Sequence, residues 1–296
     1  MRLHVGAYPT YGAPTSLLAA PVVEGLATSS RVRGLELPFL EGDVYLPPAA
    51  KVPGEWCHVV TMIPATMAAA ETDELYGLAS RDASGREAAL ELLRSVRDVV
   101  VRRSDVLAVE VQSAPRRTGS AAIFMDCLGE VASWDWDGVE LVVEHCDAWT
   151  LAHAVEKGFL PFADELAAVA AVQGSATRVT SGVNWARSVI ESRDVTTGAE
   201  HVAEAARQGL LGAVMFSSVG DRESELGGAW RDVHLAPAGI PGAPEGSLLT
   251  AGLIAKTVEA AGPYEGIVGL KINLTPAGLA PATIVERLLD IAALIP

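Results

Sequence analysis

The sequence predicts a single (β/α)8 barrel, the TIM-barrel fold, and three observations point there. Short β-branched runs recur eight times, longer segments rich in Ala, Leu and Glu separate them, and the chain of 296 residues has the length that eight strand–helix units occupy. Half of the residues are apolar, enough for a large core in one domain or in two smaller ones. No linker divides the chain, which favours one barrel over residues 1–296. The competing arrangement is an open doubly wound sheet, but no G-x-G-x-x-G follows the first run and there is no P-loop. A closed barrel with right-handed crossovers also leaves no strand edge exposed.

In order, the runs are "LHVGAY" from residue 3, "RGLELP" from 33, "CHVVTMI" from 57, "VLAVEVQ" from 106, "VELVVEH" from 139, "ATRVTSGV" from 176, "LGAVMFS" from 211 and "GIVGLKINL" from 266. Most end in polar or Pro/Gly signals. Helices are predicted most clearly at residues 84–103, 162–172, 198–209 and 281–295. In the first, Ala88, Leu92, Val96 and Val99 recur at helical intervals and predict an inward stripe, with Glu91, Arg94 and Asp98 facing water. The long Gly/Pro-rich stretch 217–247 follows the seventh strand, and a loop of that length inside a compact domain is usually functional or mobile. It is the lid candidate.

A formal charge of −15 offers no continuous basic surface, and the pairs Arg102-Arg103 and Arg116-Arg117 sit among acidic neighbours, so nucleic acid is not an expected partner. Three widely spaced cysteines, Cys57, Cys127 and Cys146, fit neither a disulfide framework nor a CxxC zinc site, which is consistent with a reducing cytoplasm. No stretch reaches the ~20 apolar residues that a membrane helix requires, so neither export nor a membrane anchor is expected. A homodimer is the expected assembly by analogy with other barrels.

In such a barrel the active site sits at the C-terminal ends of the strands. Polar residues there are Tyr8, Glu36, Glu110 with Gln112, Glu144 with His145, Asn184, Ser217, and Lys271 with Asn273. Side chains alternate with period two, so Glu110 and Gln112 share one face, as do Lys271 and Asn273, whereas Glu144 and His145 point opposite ways. With Glu144 in the mouth, His145 faces the helix layer or the strand's end and Asp147 belongs to the loop. Lys271, between apolar neighbours, needs either an anion to bind or a structural partner, and Glu36 is the nearest carboxylate by barrel closure. Glu36 and Glu110 are read the same way, as functional groups or as structural partners.

In "GVNWARSVIE", Asn184 suits a hydrogen bond to a hydroxyl and Trp185 suits stacking on a sugar ring. Arg187 and Glu191, four apart, suit either ligand binding or a helix-surface ion pair. In "WRDVHLAP", Asp232 and His234 can reach one metal or one substrate, or only stabilise the loop, and Trp230 can close over a ligand. "SSVG" at 217–220 lies where many barrels hold phosphate, although an ordinary glycine turn explains it equally simply.

Through "GLELPF", "VVEHCDAW", "GVNWARSVIE", "WRDVHLAP" and "GLKINL" the chain resembles the xylose-isomerase-like barrels, the sugar isomerase and epimerase superfamily, and within or beside it an uncharacterised bacterial family of unknown function. The resemblance spans nearly the whole chain. It implies that strand five ends in a glutamate that binds a divalent cation, with an aspartate or histidine, a histidine and a glutamate from strands six, seven and eight. Glu144 matches the first, whereas Asn184, Ser217 and Lys271 stand at the others. Glu144, Asp147, Asp232 and His234 are the alternative ligand set for Mn or Mg.

The expected function is proton transfer, isomerisation or epimerisation, on a small sugar, sugar phosphate or sugar acid. Glu144 acts as base or metal ligand, Lys271 stabilises the enolate oxygen, and Glu36 or His145 relays the proton. Tyr8, Glu110, Gln112, Asn184, Trp185, Arg187, Trp230, His234 and Asn273 are the candidate substrate contacts. One alternative is a Schiff-base lyase or aldolase using a Lys271 of lowered pKa. Another is a barrel that binds a sugar without turning it over.

Overall fold

Eight parallel strands close on themselves in the computed structural model, which describes residues 1–13 and 15–296. The strands are β1 (Arg2–Gly6), β2 (Val32–Leu40), β3 (His58–Thr61), β4 (Val106–Val111), β5 (Glu140–His145), β6 (Val179–Asn184), β7 (Leu211–Phe216) and β8 (Ile267–Lys271). Each of the eight predicted runs forms one of them. β1 closes the ring, pairing along β8 from Arg2 opposite Ile267 to Gly6 opposite Lys271 and along β2 from Leu3 opposite Val32. β2 overruns the rim and returns briefly, antiparallel, at Asp43–Val44.

Ten helices are found among the described residues: α1 (Tyr8–Tyr11), α2 (Ala19–Leu26), α3 (Ile63–Thr72), α4 (Ala83–Val100), α5 (Ala121–Ser133), α6 (Phe162–Ala171), α7 (Trp185–Ser192), α8 (Thr197–Arg207), α9 (Ala251–Ala260) and α10 (Pro281–Ala293). Asp82 starts α4, its side chain accepting the Gly85 N–H at 2.9 Å. The buried stripe of α4 differs in phase from the one predicted: Ala89, Leu90, Leu93, Val96 and Val100 are buried, Leu92 and Val99 are half-buried and Ala88 is exposed. Leu90 and Leu93 bring far more apolar area to the sheet than Ala88 does, and the helix turns to bury them.

Strand alternation produces two separate interiors. Residues facing the helices, such as Val5, Leu37, Val60, Val109, Leu141, Val143, Val183, Val214 and Leu270, join the main core. Those facing the barrel axis, Val59, Ala108, Val142, Ala213 and Ile267, form a second small cluster. Two positions further along the same strands stand Thr61, Glu110, Glu144 and Met215. The barrel is therefore filled by apolar side chains below and, Met215 apart, by polar ones towards the C-terminal end.

The connection from β7 to α9 is pinned to itself, with Ser218 bridging Leu235 and Gly220 bridging Ser247. The Ser218 hydroxyl accepts the Leu249 N–H at 2.9 Å and the Ser247 hydroxyl at 2.7 Å. The "SSVG" segment thus ties down its own loop, and the phosphate reading of it has no support in these contacts.

Candidate active site

The polar layer gathers Glu36 from β2, Glu110 from β4, Glu144 from β5, Asn184 from β6 and Lys271 from β8, all buried. Lys271 Nζ donates to Glu36 at 2.5 Å, the pair expected from barrel closure, and lies 5.1 Å from the centre of the Tyr8 ring. Glycine at position 6 makes room for it: a Cβ there would sit 2.6 Å from Glu36 Oε2 and 3.3 Å from Lys271 Cγ. Gln112 Nε2 donates to Glu144 at 3.0 Å, and its own oxygen accepts from Thr66 at 3.3 Å.

Arg187 corrects an expectation. Instead of pairing with Glu191 on a helix surface, it is buried, 2.6 Å from Glu144 and 3.0 Å from Asp232. The cause is local: α7 begins directly after β6, so its first turn sits over the barrel mouth. Asp232 also accepts from Lys157 at 2.7 Å, and His234 Nδ1 is 3.2 Å from the other Asp232 oxygen. Sequence reasoning missed Lys157 altogether, since a lysine beside a glycine in a loop carries no periodic or motif signal.

The carboxyl groups are shifted in opposite directions. Burial raises the pKa of Glu110 well above the usual carboxylate range, and the neighbouring charges of Glu144 and Glu36 add to this, so its environment favours the protonated form. Glu144 goes the other way: burial opposes ionisation, but Arg187 and Lys271 more than offset it. For Asp232, Lys157, His234 and Arg187 likewise overcome burial and hold it far below the ordinary value. Lys271 is charged, because Glu36, Tyr8 and Glu144 outweigh its desolvation. The lowered pKa expected of a Schiff-base lysine is therefore not what this environment produces.

Other candidates lie elsewhere. His145 points into the helix layer, its ring nitrogens 2.6 Å from Glu165 and 2.8 Å from Glu191, and it packs against Phe162 and His201. A proton relay from this ring into the mouth has no geometric basis. Trp185 is fully buried against α8, where a Cβ on Gly198 would meet its ring at 2.5 Å; with Asn184 facing in, the next residue faces out. Stacking of Trp185 on a sugar is thereby ruled out in this conformation. Trp230 carries the Arg193 guanidinium 4.3 Å from its ring centre, and the Asn273 N–H donates to the His234 carbonyl at 2.7 Å. Asp147 accepts the N–H groups of Glu156, Lys157 and Gly158 at 2.6, 2.8 and 3.3 Å, so it shapes the loop after β5. The Ser217 hydroxyl donates to Asn184 at 3.3 Å.

The ligand set Glu144, Asp147, Asp232 and His234 does not assemble. Among the described residues no three His, Cys, Asp or Glu side chains are arranged to hold a metal ion. Asp147 is occupied by its loop, and Arg187 stands between Glu144 and Asp232. Beside Glu144, positive charge is supplied by Arg187 and Lys271, so these residues do not fit a divalent cation.

Apart from Glu144 Oε1, which Arg187 pairs, five buried polar atoms in this layer have no hydrogen-bond partner among the described residues: Glu36 Oε2, Thr61 Oγ1, both Glu110 oxygens and Asn184 Nδ2. Each such group costs about 1 to 3 kcal/mol when left unpaired, and native folds keep them rare. They concentrate at the C-terminal end of the barrel.

With this geometry established, the chain belongs to the family described as a domain of unknown function, DUF4862, whose model matches residues 4–288. An uncharacterized protein of Salmonella typhimurium is 36% identical over 267 residues, which span 84% of this chain and 82% of the relative. Among solved structures, the zinc-bound protein IolI matches with a TM-score of 0.67 at 10% identity, covering 100% of this chain and 98% of that one. The D-allulose 3-epimerase of Methylomonas sp., in complex with D-allulose, matches with a TM-score of 0.60 at 14% identity, covering 99% and 96%. These likenesses establish the fold as that of the xylose-isomerase-like barrels.

Proposed function

We propose that this chain is an isomerase or epimerase that moves a proton on a small sugar, sugar phosphate or sugar acid. The observation that carries the reading is the set of three buried carboxyl groups, Glu36, Glu110 and Glu144, gathered with Lys271 at one end of the barrel, with the pKa of the first two raised by burial and that of Glu144 lowered by Arg187 and Lys271. Moving a proton at a carbon beside a carbonyl takes a base, an acid and positive charge for the oxygen that becomes an enolate. Glu144 is ionised and supplies the base, Lys271 faces the enolate oxygen, and Glu110 returns the proton. Glu36 holds Lys271 in place. Sugar hydroxyls match the unpartnered oxygens of Glu36, Thr61 and Glu110 and the amide of Asn184. The fold shared with a D-allulose 3-epimerase supports the substrate class.

The direct test is conversion. Pentoses, hexoses, their phosphates and uronic acids are incubated with the protein and followed by NMR. One of them is expected to yield an epimer or the ketose–aldose partner, with Glu144→Gln and Lys271→Met each lowering kcat/KM by about a hundredfold or more. Binding without conversion across the panel would make this a sugar-binding barrel. A borohydride-trapped adduct on Lys271 would make it a Schiff-base lyase.

A further inference from the structure

Asp232 is a buried anion carried by a loop and held by cations of the scaffold. Lys157 reaches it at 2.7 Å from the connection after β5, which Asp147 braces through three N–H groups. Arg187 reaches it at 3.0 Å from the first turn of α7. The segment bearing Asp232 runs between Trp230 at φ 62° and His234 at φ 58°, two non-glycine residues in the left-handed region that L side chains seldom adopt. Besides the contacts of Asp232, the segment is held by the Trp230 N–H on the Gly220 carbonyl at 2.8 Å and by Arg231 on Glu156 at 2.9 Å. Lys157 also lines a cavity of about 760 Å³ together with Arg116, Arg117, Trp149 and Phe159. A continuous line of contacts leads from this cavity through Lys157, Asp232 and Arg187 to Glu144.

We infer that Lys157 and Arg187 form the seat for a substrate carboxylate, that Asp232 fills this seat when no acid is bound, and that sugar acids are the substrate class. The inference rests on the proposed sugar-isomerase reading and makes it more specific. Exchange of one carboxylate for another conserves charge. A neutral sugar that displaced Asp232 would leave two buried cations unpaired, and a phosphate dianion would bring surplus negative charge close to Glu144. The guanidinium edge of Arg187 suits a planar carboxylate. Released from the seat, the 230–234 segment relaxes, and the mouth over Glu144 becomes accessible from the cavity.

Titration calorimetry on the full chain tests this with D-glucuronate and D-galacturonate against D-glucose, D-fructose and D-fructose 6-phosphate. The uronates are expected to bind about tenfold tighter than the neutral hexoses or more. Asp232→Asn, which removes the resident anion, is expected to tighten uronate binding by at least a similar factor and to leave the hexoses unchanged. Lys157→Met should weaken uronates alone. In the wild-type chain, hydrogen exchange of the amides at 229–235 should speed up with glucuronate and not with glucose, a readout that needs no variant to fold. Weaker or unchanged uronate binding in Asp232→Asn, strongest binding by the phosphate, or equal exchange with both sugars would overturn the seat. Equal binding of hexoses and uronates would also overturn it while leaving the isomerase reading intact, whereas binding of no sugar at all would sink both.

Discussion

Glu110 is buried with both oxygens unpartnered, and its folded pKa is raised well above 4.5 by burial and by the charges of Glu144 and Glu36. The sign of its linkage follows: the folded state takes up a proton that the unfolded state has already lost, so this site costs stability increasingly as pH rises above 4.5. Glu110→Gln keeps the shape and removes that cost. It is expected to stabilise the protein at pH 7, to lose this advantage below the unfolded pKa, and to lower activity. Urea melts across pH would show it, and a destabilised variant at pH 7 would contradict the raised pKa. His145 behaves with the opposite economy. Burial disfavours its charge, yet Glu165 and Glu191 raise it from 6.5 to about 10. Its stabilisation is complete below pH 6.5 and is lost as pH rises towards 10, so wild type should lose stability across that window more steeply than His145→Gln, and parallel curves would refute the buried imidazolium. At this scale the sequence was legible wherever alternation applied: Glu144 faces in, His145 faces out, and Glu36 meets Lys271. It was silent where a contact crosses the fold, as when Lys157 and Asp232, 75 positions apart, form one ion pair.

Elements are positioned by packing that only some residues tolerate. Gly34 on β2 lies against β3, where a Cβ would collide with the Cys57 carbonyl oxygen, a backbone atom that cannot swing aside. Gly34→Ala is expected to cost about 3 kcal/mol or more, because overpacking here must push neighbouring strands away from each other. Equilibrium unfolding measures it, and a change under about 1 kcal/mol would mean that the strands are less closely set. The eight strands could be read from sequence because β-branched runs bounded by turn residues form a pattern independent of tertiary contacts. The phase of α4 could not be read to the residue, since an apolar position every three or four residues leaves neighbouring stripes nearly equivalent until the sheet selects the one with Leu90 and Leu93. Short helices such as α1 and α3, which begin at the ends of β1 and β3, carry no such stripe and escaped notice.

Over the whole molecule, the closed ring sets an apolar plug below and a charged layer above, and the loop after β7 brings a carboxylate back to that layer. The resemblance to sugar isomerases was legible from the strand order and from Glu144, while the cations beside Glu144 became visible only when α7 was placed against β6. Because Arg187 and Lys271 already balance the acids, millimolar Mn2+ or Zn2+ is expected to change Tm by less than about 1 °C, whereas a tightly bound ion would raise it by mass action. A larger rise would show that the polar layer rearranges to take a metal. The chemistry itself is tested most directly by running the reaction in deuterium oxide and reading isotope at the carbon beside the carbonyl. Wild type is expected to wash deuterium into one sugar of the panel, and Glu144→Gln and Lys271→Met are expected to abolish the exchange. Conversion of a sugar without solvent deuterium at that carbon, or exchange that persists undiminished in both variants, would contradict proton transfer at this site.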